Sequence, residues 1–118
     1  MTGKASFAHI SLDRVFHEKA RLAIVTTLAA QTEGLSFTEL KTLCGLTDGN
    51  LNRHLQVLEE AGYVSIEKDC DGARPLTRCR LSHLGRQSFC EYLIVLEEVV
   101  ARAKQAAWST KSPAPSTG

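Results

Sequence analysis

Leucines recur at Leu51, Leu55 and Leu58 while Asn50, Asn52, Arg53 and Gln56 occupy the positions between them. This is the period of a helix with one buried face and one polar face. Thr47 stands where the N-cap is needed, and Asp48 falls in the first turn, where negative charge favours the helix dipole. Gly62 supplies the left-handed residue that commonly ends a helix. From Tyr63 to Lys68 the period drops to two, with Val64 and Ile66 on one face and Ser65 and Glu67 on the other, so the helix feeds directly into a strand. Asp69 to Pro75 is turn-rich. Leu76 to Leu81 then alternates again, with Thr77, Cys79 and Leu81 on one side and Arg78 and Arg80 on the other, which predicts a hairpin.

Upstream, Leu12, Val15 and Phe16 predict a short leading helix, and Ala20, Ile24, Val25 and Leu28 predict a second helix from about Glu18 to Gln31 that ends at Gly34. Ser36 and Glu39 have the spacing of a capping box, which starts a helix from Phe37 to Cys44 burying Phe37, Leu40 and Leu43. Gly45 closes it, and only a few residues separate it from the Thr47 cap, the spacing of a helix-turn-helix. Ser82 can cap a final helix from His83 to Trp108 with Leu84, Phe89, Leu93, Leu96, Val100, Ala103 and Ala107 along one side. At 1.5 Å per residue that helix is roughly 39 Å long and outruns a small domain. Its distal half needs another surface, and a second copy of the helix is the simplest one. Phe89, Tyr92, Leu93, Leu96 and Val100 are therefore expected to pair two chains as a homodimer. The expected class is mainly α (α+β), in one domain over residues 11–108, with a flexible N-terminus over 1–10 and a disordered tail over 109–118.

Composition narrows the function. A chain of 118 residues with 43% hydrophobic content supports one core and not two. No apolar run approaches the roughly 20 residues of a membrane span, and no signal-peptide pattern opens the chain, so a soluble cytoplasmic protein is expected. The net charge of +1 sits awkwardly with nucleic-acid binding, yet Arg74, Arg78, Arg80 and Arg86 fall in a stretch without Asp or Glu and form a local basic patch. Glu67, Asp69 and Asp71 lie just upstream and dilute it. Cys44, Cys70, Cys79 and Cys90 are too scattered for a zinc or redox motif and read as reduced thiols, so no metal is expected. There is no glycine-rich phosphate loop, no nucleophile with a base at recognisable spacing and no carboxylate pair, so neither an enzyme nor a cofactor is expected.

The segments Arg21-Leu22-Ala23-Ile24, Phe37-Thr38-Glu39-Leu40, Thr47-Asp48-Gly49-Asn50-Leu51-Asn52-Arg53-His54-Leu55, Leu58-Glu59-Glu60-Ala61-Gly62-Tyr63-Val64 and Leu84-Gly85-Arg86 closely resemble the small stand-alone winged-helix transcriptional regulators of the MarR and ArsR types. The resemblance covers about Leu12 to Leu96. It implies a homodimer that binds double-stranded operator DNA, usually as a repressor. It also implies that the third helix enters the major groove and the hairpin wing touches the minor groove or backbone. Carried over residue by residue, it nominates Thr47, Asn50, Asn52, Arg53 and Gln56 for the groove and Arg74 and Arg78 for the wing. Metal sensing does not transfer, because the Cys-x-Cys pair that arsenical-type sensors often carry in the second helix is represented here only by Cys44.

Each residue also has a plainer reading. Arg53 carries a planar fork suited to guanine or phosphate, or it is a solvated arginine. Asn50 reads a base or stabilises its own helix turn. Asn52 and Gln56 could be ordinary exposed residues, and Arg74 a solvated hairpin tip. His54, close to the leucine face, reads as a hydrogen-bonded, partly buried histidine, and Cys79 as a small core residue. Phe89, Tyr92, Leu93 and Leu96 could cradle a small-molecule effector, although dimer packing explains them without one. A winged-helix protein-interaction module that binds no DNA is the alternative, motivated by the near-neutral charge and by Glu59, Glu60, Asp69 and Asp71.

Overall fold

The computed structural model describes residues 11–109; the expected flexible N-terminus and all but the first residue of the expected tail lie outside them. The element order is α1 (Lys19–Ala29), β1 (Leu35–Ser36), α2 (Phe37–Cys44), α3 (Asp48–Glu60), β2 (Val64–Asp71), β3 (Arg74–Leu81) and α4 (His83–Ser109). The strands form one antiparallel sheet in the order β1-β3-β2. The mainly α helix-turn-helix with a hairpin and a long last helix is the architecture observed.

Local signals start and stop most elements. The Ser36 hydroxyl accepts the Glu39 N–H at 3.1 Å and the Glu39 carboxylate accepts the Ser36 N–H at 2.9 Å, so both halves of the capping box are made. Thr47 Oγ1 accepts the Asn50 N–H at 3.2 Å, and Ser82 Oγ accepts the Gly85 N–H at 2.8 Å. Beyond α3, the Gly62 N–H bonds the Glu59 carbonyl and the Tyr63 N–H bonds the Leu58 carbonyl, with Gly62 at φ 82°. That is a Schellman closure, and it turns the chain straight into β2.

Four expectations are corrected. The leading segment is a single turn rather than a helix, held by N–H bonds of Phe16 and His17 to the Asp13 carbonyl; its apolar residues serve the core without a helical repeat. Gly34 does not end α1, which stops at Ala29. A Cβ there would lie 2.6 Å from the Cys79 carbonyl oxygen, so the glycine allows β1 to approach β3. Leu43 is 63% exposed, leaving Leu40 as the buried residue of α2. The expected turn over Asp69–Pro75 shrinks to two residues, because β2 continues to Asp71 and β3 begins at Arg74. Pro75 is tolerated in β3 because β1 pairs only with Arg78 and Cys79, leaving that side of Pro75 without a neighbour.

Ile24, Val25 and Leu28 of α1, Leu40 of α2 and Leu51, Leu55 and Leu58 of α3 converge on Val64 and Cys79 of the sheet. Phe16 closes one side, stacked on Tyr63 with centroids 4.6 Å apart and tilted against Phe89 and Tyr92. Burying three leucines from one helix fixes which face of α3 is left outside.

Candidate nucleic-acid interface

With Leu51, Leu55 and Leu58 buried, Asn52, Arg53 and Gln56 stand exposed on the opposite side of α3. Arg53 donates from Nη2 to Asn50 Oδ1 at 2.7 Å. One of its five N–H donors is thereby fixed by a neighbour one turn away, and the rest of the fork is left pointing outward. The Asn50 amide oxygen is thus held by a side chain of its own helix one turn on, the local partner that its plainer reading expects. Thr47 accepts the cap bond described above and remains exposed. Lys41 of α2 pairs with Asp48 at 2.8 Å, joining the two helices across their turn.

His54 projects from the inner edge of α3. Its Nδ1 lies 3.3 Å from Arg21 Nη1 and 3.9 Å from Glu18 Oε1. A guanidinium only donates, so the facing ring nitrogen accepts. Arg21 also donates from Nε to the Val15 carbonyl at 2.7 Å, tying the N-terminal turn, α1 and α3 together. The Glu18 carboxyl is held below its usual range chiefly by the Arg21 N–H it caps, and further by the Arg21 guanidinium. His54 is thus a partly buried structural histidine beside the polar face and not part of it.

The hairpin separates its charges by face. Arg74 is exposed at the tip, next to the turn. Arg78 is half-buried, and its Nε lies 3.4 Å from Asp69 Oδ2. Arg80 Nε lies 3.7 Å from Glu67 Oε1. The Asp69 carboxyl is held low first by the Cys70 N–H and then by Arg78 and Arg80. Of the four arginines of the basic patch seen in sequence, Arg78 and Arg80 are therefore paired with the acids just upstream, while Arg86 donates to the Ala29 carbonyl and Arg74 stays exposed. Lys68 escaped the sequence reading; it is exposed and shares the strand face of Ile66, and the period-two count of β2 would have placed it there.

Cys79 is fully buried, and burial pushes its thiol up to about 11, so it is a neutral core residue at ordinary pH. Cys70 pairs in register with Pro75 and Cys79 with Ile66, four residues apart along β2 and so roughly 13 Å. Among the described residues no group of three or more His, Cys, Asp or Glu is placed to hold a metal ion.

The expected dimer residues divide. Phe89 and Tyr92 are 6% and 3% exposed and belong to this chain's own aromatic cluster, with Tyr92 also sharing a 2.8 Å hydrogen bond with His17 Nδ1. They are removed from the surface by the domain itself, which corrects the expectation for that pair. Leu93 and Val100 are exposed and Leu96 is partly buried. With Ala101 and the charged Glu97 and Lys104 they line a shallow apolar groove along the outer half of α4.

A family profile for the winged helix DNA-binding domain matches residues 20–100. An uncharacterized protein of Methanocaldococcus jannaschii is 35% identical over 80 residues, covering 68% of this chain and 86% of that protein. The solved structure of a transcriptional regulator homologue from Pyrococcus horikoshii OT3 is 26% identical with a TM-score of 0.72, over 77% of this chain and 89% of that one. A MarR-family transcriptional regulator from Silicibacter pomeroyi, 21% identical over 84% of this chain and 62% of that one, shares the fold with a TM-score of 0.54.

Proposed function

Since this chain belongs to the winged helix DNA-binding domain family, we propose that it is a homodimeric, sequence-specific transcriptional regulator that acts as a repressor by occupying operator DNA. In this reading α3 enters the major groove and the hairpin lies against the neighbouring minor groove or backbone. Asn52, Arg53 and Gln56 meet base edges, Thr47 and Asn50 hold the helix entrance, and Arg74 meets the backbone from the hairpin tip. The observation that carries it is the outward face of α3: exposed amides and an arginine pre-aimed by Asn50, opposite three buried leucines. Amides and guanidinium forks are the groups that pair with two edge atoms of adenine and guanine. The homodimer draws on Leu93 and Val100, which remain 38% and 46% exposed on the outer part of α4.

Selection of bound duplexes from a random pool tests the reading. A two-fold palindrome is expected, since a symmetric dimer reads two like half-sites. Arg53→Ala should weaken binding to the selected duplex by about 1–3 kcal/mol and relax its sequence preference. A pool that yields no enriched sequence, or binding untouched by Arg53→Ala combined with Arg74→Ala, would leave the protein-interaction module, which exposed Glu59 and Glu60 at the end of α3 favour.

A further inference from the structure

The two faces of the β2–β3 hairpin are chemically different, and only one of them adjoins α3. Val64 and Ile66 of β2 pair with Leu81 and Cys79 of β3 on the core side. Ile66 lies in a shared cleft with Asn52, Gln56 and Glu59 of α3, so this face continues the polar edge of the helix. Two residues further along the same face is Lys68, about 7 Å beyond Ile66 and opposite Thr77. Among the described residues Lys68 takes part in no ion pair.

Arg78 and Arg80 lie on the reverse face. Their stems cross Gly34 at the start of β1: a Cβ on that glycine would sit 2.7 Å from Arg80 Cγ and 3.4 Å from Arg78 Cγ. Their guanidinium groups meet Asp69 and Glu67. Arg78 is also close enough to Glu39 of α2 to contribute to its low carboxyl, after the larger effect of the Ser36 N–H and hydroxyl. These arginines are therefore committed to β1, to the acidic side chains of β2 and to the edge of α2, on the side of the sheet turned away from α3.

We infer that Lys68 is the strand-borne phosphate contact of the hairpin, and that Arg78, nominated by its place in the sequence, is a structural residue of the opposite face. This rests on the DNA-binding reading and adds to it which side of the hairpin stem the duplex backbone lies along; Arg74 shares the face of Arg78 by register and can meet that backbone only from the tip, where the strands end. Lysine suits the task as a compact point charge for phosphate, and it carries no sequence preference of its own.

The experiment compares two full-length variants that each remove one positive charge. Lys68→Ala and Arg78→Gln change the long-range field equally, so a difference between them reports local contact. Gln at position 78 keeps part of the stem over Gly34, and equal urea midpoints with wild type would show that both variants fold. Affinity for a fluorescein-labelled duplex of mixed sequence is measured by anisotropy across a range of KCl concentrations. Each lost phosphate contact lowers the slope of log affinity against log salt by about 0.9. Lys68→Ala should lose about that much per bound chain, and Arg78→Gln should keep the wild-type slope. Equal slopes for wild type and Lys68→Ala, or a loss confined to Arg78→Gln, overturns the inference. Arg53→Ala separates the two levels of failure: if it weakens binding while Lys68→Ala does not, only the assignment of the hairpin face falls. If the wild-type chain shows no salt-dependent binding, the DNA reading fails and this inference fails with it.

Discussion

The two halves of α4 carry the same kind of sequence and have opposite situations. In the first half, Gly85 sits against the Tyr63 backbone, and Phe89 and Tyr92 pack on Phe16. From Leu93 onward, Leu93, Ile94, Val100 and Trp108 are exposed, while Leu96 still packs partly against the core. Apolar residues at helical spacing state only that a helix has something to bury. Whether the chain supplies the covering surface depends on which elements lie beside it, and here the covering runs out at about Leu96. The inner half holds the domain together, and the outer half has an apolar face that a second chain would cover.

That contrast breaks first at Phe89. Truncating it opens a cavity between Phe16 and Tyr92, so Phe89→Ala should lower stability by about 3–5 kcal/mol, read from the urea midpoint. Domains of this kind have about 5–15 kcal/mol in total. A loss under about 1 kcal/mol would mean that the inner half is not part of the core.

Gly85→Ala should follow at about 3 kcal/mol, the upper end of overpacking costs. The added Cβ would overlap the Tyr63 carbonyl, which is backbone and cannot swing aside. The same carbonyl accepts the Ser82 N–H at 2.9 Å, so pushing it away also disturbs the start of α4. Replacement without loss would show that α4 can slide along β2.

Val100→Glu moves to the outer half. On the chain's own fold it should cost less than about 0.5 kcal/mol, the range of ordinary surface changes. Its effect should appear in mass instead: sedimentation of the wild type should report a dimer, and the variant a monomer, because an unpaired carboxylate would be buried at the proposed contact. A wild-type monomer at all concentrations would remove the homodimer and leave the two halves differing only in burial.

Much of this was legible in sequence, and the boundary is physical. The caps at Ser36, Thr47 and Ser82 and the closing glycines Gly45 and Gly62 were readable because each acts within a few residues of itself. The strand faces were readable as well, since parity needs no knowledge of a partner. β1 was not, because Leu35 and Ser36 are too few to show a period and are strand only through pairing with β3. By sequence Gly34 has the look of a helix stop, whereas its reason lies across the sheet at Cys79. The neutralisation of Arg78 by Asp69 required the register of the hairpin, which a turn of two residues rather than seven sets. The polar face of α3 was legible, and so was the need of the distal half of α4 for another surface; that Phe89 and Tyr92 fall in the covered half was not, because their partner Phe16 lies near the other end of the chain.

The smallest effect concerns Trp108, the single tryptophan of the chain. It is 80% exposed near the end of α4, so Trp108→Phe should leave the urea midpoint unchanged within about 0.5 kcal/mol. Its use is optical. An indole in water and one against an apolar surface emit at different wavelengths, and association through the outer half would move it from the first to the second. Emission should therefore shift to the blue as protein concentration rises through the dimerisation range, and Val100→Glu should hold it at the red, water-exposed position throughout. If the wild type dimerises by sedimentation while Trp108 stays red, the covered stretch ends before the helix does, and the contact is centred on Leu93 and Val100 rather than running the full length of the outer half.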